Sequence, residues 1–250
     1  MRCLIITVAG MATRFSQSVG FDCIKCLFYE QNFEESILYR LISGQSEYFD
    51  KIILVGGFKY EQLEDAVQNH LQNYKDKIIM VMNEHYSDYG SGYSLLLGLE
   101  KAFTFNPEEI VFAEGDLYVD PVTLNLFCQK STDLISSNRE PILASKAVAF
   151  YFDTNNHLHY IFDTSHGQLS IDEPFLEIRN SGQIWKFVDV KRLKQICDSL
   201  TAPEKQGTNL CIIQQYFGDM NRNQYELVEF KKWINCNTLG DFRKIKDVEG

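Results

Sequence analysis

Two short stretches carry residue types suited to phosphate chemistry. In "CLIITVAGMATRF" an apolar run breaks at Gly10 and then supplies the Thr13 hydroxyl and the Arg14 guanidinium, with Lys25 eleven positions further on. A glycine in such a turn lets backbone approach a ligand closely, and exposed N–H groups hold phosphate oxygens, so the combination suits a polyphosphate. The alternative is an ordinary tight turn with a surface arginine. In "IVFAEGDLYVD" the apolar run ends at Asp116. A carboxylate there suits Mg²⁺, a hard cation that takes one or two protein carboxylates plus phosphate oxygens. The alternative for Asp116 is a helix N-cap or a turn, a role that Asp120, directly before Pro121, fits better. Neither the G-x-G-x-x-G spacing of a dinucleotide loop nor a P-loop lysine followed by Ser or Thr is present.

These residues need a scaffold that brings loop ends together. Short runs that are apolar along their whole length ("CLIITVA", "KIILVGG", "KIIMVMN", "EEIVFAEGD") alternate with helical spacing ("ESILYRLIS", "YEQLEDAVQNHLQNY", "SLLLGLEKAFTF"). That rhythm predicts an α/β fold, a mostly parallel sheet flanked by helices on both faces. In open sheets of this kind ligands bind outside the C-terminal ends of the strands, which is where Gly10 and Asp116 fall. After about residue 140 the pattern changes. "ILASKAVAFYFDTNNHLHYIFDTS" predicts two strands joined at "DTNNH", "PFLEIRN" a further strand before "SGQIWKF", and "DVKRLKQICDSL" and "GTNLCIIQQYFG" helices. "YELVEF" predicts a late strand that rejoins the sheet, and a terminal helix starts near Leu239. One domain of residues 1–250 results, with a small lobe beside the sheet over 141–200 and a return to the core over 201–250.

Composition narrows the function classes. The chain is 45% hydrophobic and 23% charged with a formal net charge of −10, ordinary for a globular domain and unsuited to nonspecific nucleic-acid binding. The best basic run, "DVKRLKQ", has the spacing of a solvated helical face. The first apolar segment, Cys3 to Ala9, is far too short to span a bilayer and has no signal-peptide architecture. Seven scattered cysteines suit free thiols in a reducing compartment, so a cytoplasmic location is expected. "CIKC" lacks the second pair a structural zinc site needs. His70, His85, His157, His159 and His166 show no metal-ligand spacing. Composition says nothing of oligomeric state.

Taken in order, the first loop, Lys25, "EGD" and the closing "INCNTLGDFRKI" resemble the sugar nucleotidyltransferase superfamily, and within it the small bacterial cytidylyltransferases of the phosphocholine type. The resemblance runs nearly the length of the chain and implies a Rossmann-like nucleotidyltransferase fold in which residues 1–140 are mainly the nucleotide-binding part, 141–200 a small hairpin-rich acceptor-binding lobe, and 201–250 the return to the core with the second metal-ligand segment. It implies that Ala9, Gly10, Met11, Ala12, Thr13 and Arg14 wrap the triphosphate of CTP, that Lys25 neutralises phosphate charge, and that Asp116 and Asn237 hold Mg²⁺. Three positions depart from the pattern: Ala12 where a second glycine is common, Ile24 in place of proline, and Asn237 in place of a charged ligand. The Ala12 Cβ demands a different loop path, and Asn237 removes one negative charge beside the metal.

The same resemblance puts Asn83, Ser91, Tyr93 and Ser94 around the nucleotide or acceptor, although Ser91 and Ser94 also read as helix caps. Trp185 and Trp233 could offer aromatic faces to a quaternary ammonium. Asp172, Glu173 and Glu177 could attract a primary ammonium, or form a solvated loop. The expected activity is transfer of CMP from CTP to a phosphate or phosphonate acceptor of the phosphocholine, phosphoethanolamine or aminoalkylphosphonate type, with release of pyrophosphate. Transfer to a sugar, polyol or amino-acid phosphate, or nucleotide binding without catalysis, are the alternatives.

Overall fold

Along the first apolar run the side chains are buried on both faces: Leu4 and Ile6 enter one apolar cluster, Cys3 and Ile5 a second. Period-two alternation in a doubly covered sheet produces this pattern. The computed structural model describes residues 1–144, 148–162 and 169–249; His166 and the end of the predicted hairpin lie outside them. In chain order the strands are β1 (Arg2–Thr7), β2 (Lys51–Gly56), β3 (Ile78–Met82), β4 (Glu109–Glu114), β5 (Leu117–Val119), β6 (Asp133–Asn138), β7 (Ala149–Asp153), β8 (Leu158–Tyr160), β9 (Phe175–Phe187), β10 (Tyr225–Phe230) and β11 (Trp233–Asn235). The helices are α1 (Thr13–Val19), α2 (Ile37–Ser43), α3 (Tyr60–His70), α4 (Ser91–Phe103), α5 (Pro121–Gln129), α6 (Val190–Ser199), α7 (Ala202–Gln206), α8 (Leu210–Phe217) and α9 (Leu239–Glu249).

The main sheet has the order β10-β6-β9-β4-β1-β2-β3. β1 lies parallel between β2 and β4, and β2 is parallel to β3. The fold is thus the mixed α/β Rossmann-like architecture that the alternating pattern predicts. One face is covered by α1, α2, α3, α5 and α9, the other by α4, α6 and α8. From β1 the chain builds β2 and β3 on one side, then crosses to β4 on the other. That reversal opens a crevice at the C-terminal ends of β1 and β4.

The second half differs from the expected insertion. β9 is one 13-residue strand that takes in "PFLEIRN" from Phe175 onward and all of "SGQIWKF". It runs antiparallel to both β4 and β6 inside the main sheet. Its N-terminal part, beyond Ile184 opposite Ala113, pairs with β7, which pairs with β8. The hairpin is therefore continuous with the core sheet rather than standing beside it. Its turn forms as "DTNNH" predicts: Asp153 Oδ1 accepts from the backbone N–H groups of Asn155 and His157 at 2.8 and 2.9 Å, and Asn156 takes the left-handed conformation, φ 65°. β10 rejoins the sheet parallel to β6. Asp120 caps α5, accepting from Thr123 N–H at 2.8 Å with Pro121 in the first turn. No helix among the described residues is long and apolar enough to cross a membrane.

Gly115 lets the crevice close tightly. A Cβ there would sit 2.3 Å from Val8 Cγ1 and 2.8 Å from the Thr7 carbonyl oxygen, and backbone cannot yield as a side chain can. Gly115→Ala is expected to cost about 1–3 kcal/mol in urea denaturation. An unchanged midpoint would show that the β1–β4 crossing has slack this packing denies.

Candidate active site

Four side chains from separate parts of the chain meet beside this crevice. Lys25 Nζ donates to Asp116 Oδ2 at 2.5 Å and to Asn237 Oδ1 at 3.3 Å. The Arg14 guanidinium donates to the same Asn237 oxygen at 3.0 Å. Each is delivered by a different element: Arg14 by the first turn of α1, Lys25 by a 3-10 turn spanning Lys25–Leu27, Asp116 by the turn after β4, and Asn237 by the segment between β11 and α9. Asn237 Nδ2 donates to Asn235 Oδ1 at 2.7 Å, which turns its oxygen toward the two cations. The α9 entrance is fixed by Asp241, which accepts from the Thr238 hydroxyl at 2.8 Å, and by Leu239 N–H donating to Ser18 Oγ of α1 at 2.8 Å.

A cavity of about 310 Å³ opens at the same place. Ala9, Gly10, Lys25, Asn83, Ser91, Ser94 and Asp116 line it, so the structure gathers seven of the residues singled out from sequence. Asn83 is buried, donates to Ser94 Oγ at 2.9 Å and accepts from His85 N–H at 2.8 Å; it shapes the wall with both ends of its amide. Ser91 Oγ accepts from Asn209 N–H at 3.2 Å. Tyr93 is outside the lining and packs edge-on against Tyr89 and His85. Met11 and Thr13 are exposed at the loop tip.

Ala12 has φ 51° and ψ 31°, the left-handed conformation usually given to glycine. The glycine-type loop path is thus kept, and the Cβ carries its strain, where a different path was expected. A left-handed residue with a Cβ costs ~1–2 kcal/mol, and glycine's greater freedom in the unfolded chain returns roughly 0.5–1 of this. Ala12→Gly is expected to raise stability by about 0.5 kcal/mol or more. A lower midpoint in denaturant would show that the Cβ makes a compensating contact.

Sequence patterning missed Glu114, Tyr86, Tyr89 and Asn209. The first three line the cavity, and Asn209 Nδ2 donates to Glu114 Oε1 at 2.7 Å. Burial, and next the neighbouring Asp116 charge, push the Glu114 carboxyl up to about 7. Its place two residues before Asp116, at the C-terminal end of the same apolar run, was the available signal.

The acceptor residues expected from sequence are not brought into the cavity. Trp185 is 0% exposed, its ring stacked on Phe112 at 5.3 Å and its indole N–H bonded to the Tyr160 hydroxyl at 2.6 Å. Cation-π binding needs an open face, so Trp185 is a core residue. Trp233 is half-buried on β11 and donates to the Gly182 carbonyl at 2.9 Å. Asp172 accepts from the Ser170 hydroxyl at 2.9 Å and Glu173 from the Tyr151 hydroxyl at 2.6 Å, while Glu177 pairs with Arg179. These acids are met by local partners on the hairpin and its approach.

Asp116 Oδ1 is buried with no hydrogen-bond partner among the described residues. Such an orphan is costly unless something occupies it. With Asn237 Oδ1 sharing Lys25 beside it, two oxygen donors suited to Mg²⁺ are adjacent, and Mg²⁺ completes its shell with waters and phosphate oxygens. The residues present therefore fit the metal.

Solved structures with this architecture include the inositol-1-phosphate CTP transferase from T. maritima (TM-score 0.69, 17% identity, covering 100% of this chain and 96% of that one). The CTP:phosphocholine cytidylyltransferase LicC from Streptococcus pneumoniae aligns with TM-score 0.66 and 15% identity, over 100% and 99% of the two chains. A putative glucose-1-phosphate thymidylyltransferase from Bacillus anthracis aligns with TM-score 0.69 and 13% identity, over 99% and 95%. At these identities the likeness is one of fold alone. No curated protein matches the sequence. The chain belongs to the family described as "Domain of unknown function (DUF6564)", which matches residues 21–249.

Proposed function

We propose that this chain is a Mg²⁺-dependent nucleotidyltransferase that moves CMP from CTP to a small phosphate or phosphonate acceptor. The observation that carries this reading is the meeting of Arg14, Lys25, Asp116 and Asn237 beside the crevice. Two of the fold relatives, the inositol-1-phosphate CTP transferase and the CTP:phosphocholine cytidylyltransferase, act with CTP, which favours that nucleotide.

An oxygen of the acceptor phosphate attacks the α-phosphorus in line. The new P–O bond forms as the bond to the β-phosphate bridging oxygen breaks, and pyrophosphate leaves with the electron pair. The attacking oxygen is already anionic near neutral pH, so no strong general base is required. The protein's part is positioning and charge neutralisation. The Gly10 loop approaches the polyphosphate with its backbone, Arg14 binds its oxygens, and Lys25 neutralises charge that grows in the transition state. Asp116 and Asn237 would hold Mg²⁺, which neutralises phosphate oxygens when bound. Both donors that now engage Asn237 Oδ1 are cations with a phosphate-binding role, so the same residue organises the site with or without metal.

Nucleotide binding without catalysis is the second reading, motivated by the neutral Asn237. The left-handed path of Ala12 weighs against it, because the loop geometry is retained at a cost in strain.

Pyrophosphate release should be measured with CTP, UTP, ATP and GTP against phosphocholine, phosphoethanolamine, 2-aminoethylphosphonate, glycerol 3-phosphate and glucose 1-phosphate. Acceptor-dependent release with CTP is expected, lost on chelation of Mg²⁺. Lys25→Ala and Asp116→Ala should each lower kcat by roughly 100-fold or more. Full activity in either variant would remove that residue from the chemistry, and nucleotide binding without release under every pairing would leave the second reading.

A further inference from the structure

One carboxyl in the active-site cavity takes no part in the transfer chemistry. Glu114 ends β4 and lines the cavity two residues before Asp116. Its Oε1 accepts from Asn209 Nδ2 at 2.7 Å, and its Oε2 has no hydrogen bond or ion pair among the described residues. Asn209 is 4% exposed, and its own N–H donates to Ser91 Oγ at 3.2 Å. The segment before it is locked onto the start of α4: Gly90 N–H donates to the Gln206 carbonyl at 2.8 Å and Gly92 N–H to the Gly207 carbonyl at 3.0 Å. Glu114 is therefore braced from behind, with one oxygen held by the brace and the other left to the cavity. An oxygen so placed calls for a donor.

The cavity has two chemically different sides. On one, Lys25 and Asp116 stand 2.5 Å apart with Arg14 and Asn237 beside them, and in the transfer reading this side takes the phosphates and the metal. The other is built from the β3–α4 connection and the first turn of α4, where Tyr86, Tyr89, the Asn83 amide and Ser94 give the mixed aromatic and hydrogen-bonding surface that suits a nucleobase. Glu114 belongs to both: its neighbour in the chain is the turn that holds Asp116, and Asn209 ties it to Ser91 of α4. A nucleotide lying across the cavity puts its sugar between phosphate and base, which is where Glu114 stands.

We infer that Glu114 recognises the ribose and makes the site selective for ribonucleotides over 2′-deoxynucleotides. This rests on the reading of the cavity as a nucleotide site. A ribose presents two adjacent hydroxyls, each an O–H donor, and a carboxyl group presents two acceptor oxygens that match them. Oε2 is open, and Oε1 keeps a lone pair beyond the one that Asn209 uses. A hydroxyl donates to a carboxyl oxygen in either charge state of Glu114. Phosphate oxygens repel a carboxylate, whereas the sugar hydroxyls supply the donors it lacks. A 2′-deoxynucleotide removes one of those donors and leaves a braced, partly desolvated carboxyl oxygen unmatched, and an unmatched polar group of this kind is what makes a site reject the analogue.

The test is titration calorimetry on the full chain with Mg²⁺ and CTP, UTP, ATP and GTP beside their 2′-deoxy counterparts. For the base that binds best, wild type should hold the ribonucleotide roughly tenfold or more tighter than the deoxynucleotide. In Glu114→Ala that ratio should fall close to one, through weaker ribonucleotide binding with no loss of deoxynucleotide affinity. Glu114→Gln, which keeps the shape and one acceptor oxygen, should retain part of the selectivity. A structural or purely electrostatic role would move both sugars alike. A wild-type ratio near one, or an unchanged ratio in folded Glu114→Ala, overturns the inference and leaves the transfer reading intact. So does equal loss of both nucleotides with weaker Mn²⁺ binding by electron paramagnetic resonance, which assigns Glu114 to the metal, or failure of both variants to fold, which makes it a structural residue. Selectivity that depends on Glu114 without pyrophosphate release from any acceptor upholds the inference and overturns transfer. Absence of nucleotide binding overturns both together.

Discussion

The Lys25 ammonium ties together segments that are far apart in the chain: it lies 2.5 Å from Asp116 Oδ2 and 3.3 Å from Asn237 Oδ1. A partly buried carboxylate beside a second, Glu114, needs a cation close by. The architecture around the site supplies it. Phe28, just beyond the turn that carries Lys25, packs edge-on against Phe15 of α1 at 5.2 Å and Phe242 of α9 at 5.0 Å. On the outside, Arg243 and Lys246 of α9 reach Glu30 at 2.9 and 3.1 Å, and their hydrogen bonds hold its carboxyl below the usual range. The aromatic stack and the outer ion pairs thus hold α1, the Lys25 turn and α9 as one unit, and Arg14, Lys25 and Asn237 are its inward-facing products.

The two halves of the sheet obey different rules. Around β1 every local preference agrees: apolar strands, parallel pairing, helices on both faces. Around the register shift between β6 and β9 they conflict: β6 is a buried polar strand, Gln183 is left-handed at φ 58°, and its Nε2 has no partner among the described residues. Agreement across levels marks scaffold, and concentrated violations mark sites where stability has been given up. The same contrast appears on a smaller scale at Ala12, where one strained residue interrupts an otherwise regular strand-to-helix passage.

Much of the first half was legible because its signals are local. Whole-run apolarity announced β1, β2, β3 and β4, Asp120 before Pro121 announced the cap of α5, and the Asn pair announced the hairpin turn. β6 was not legible: "DLISSN" has too many polar groups to read as buried, yet all six residues are. Its polar atoms are met largely across the sheet, Ser136 by Ile184 and Asn138 by Ser181, and no window along the chain shows those partners. Trp185 misled for the converse reason. An aromatic residue reads the same in a pocket or a core, and only its stacking on Phe112 assigns it to the core.

By itself the sequence determined the strand-and-helix alternation, the loops that end β1 and β4, and Arg14, Lys25 and Asp116 as candidates, because turn chemistry and period are properties of neighbouring residues; Asn237 became a candidate only through the family resemblance. Tertiary structure alone decided that β9 enters the sheet antiparallel, that Glu114 and Asn209 join the cavity wall, and that Lys25 touches both oxygens at once. Those outcomes depend on strand register and on which buried atoms find partners, and both are set by contacts between segments far apart in the chain.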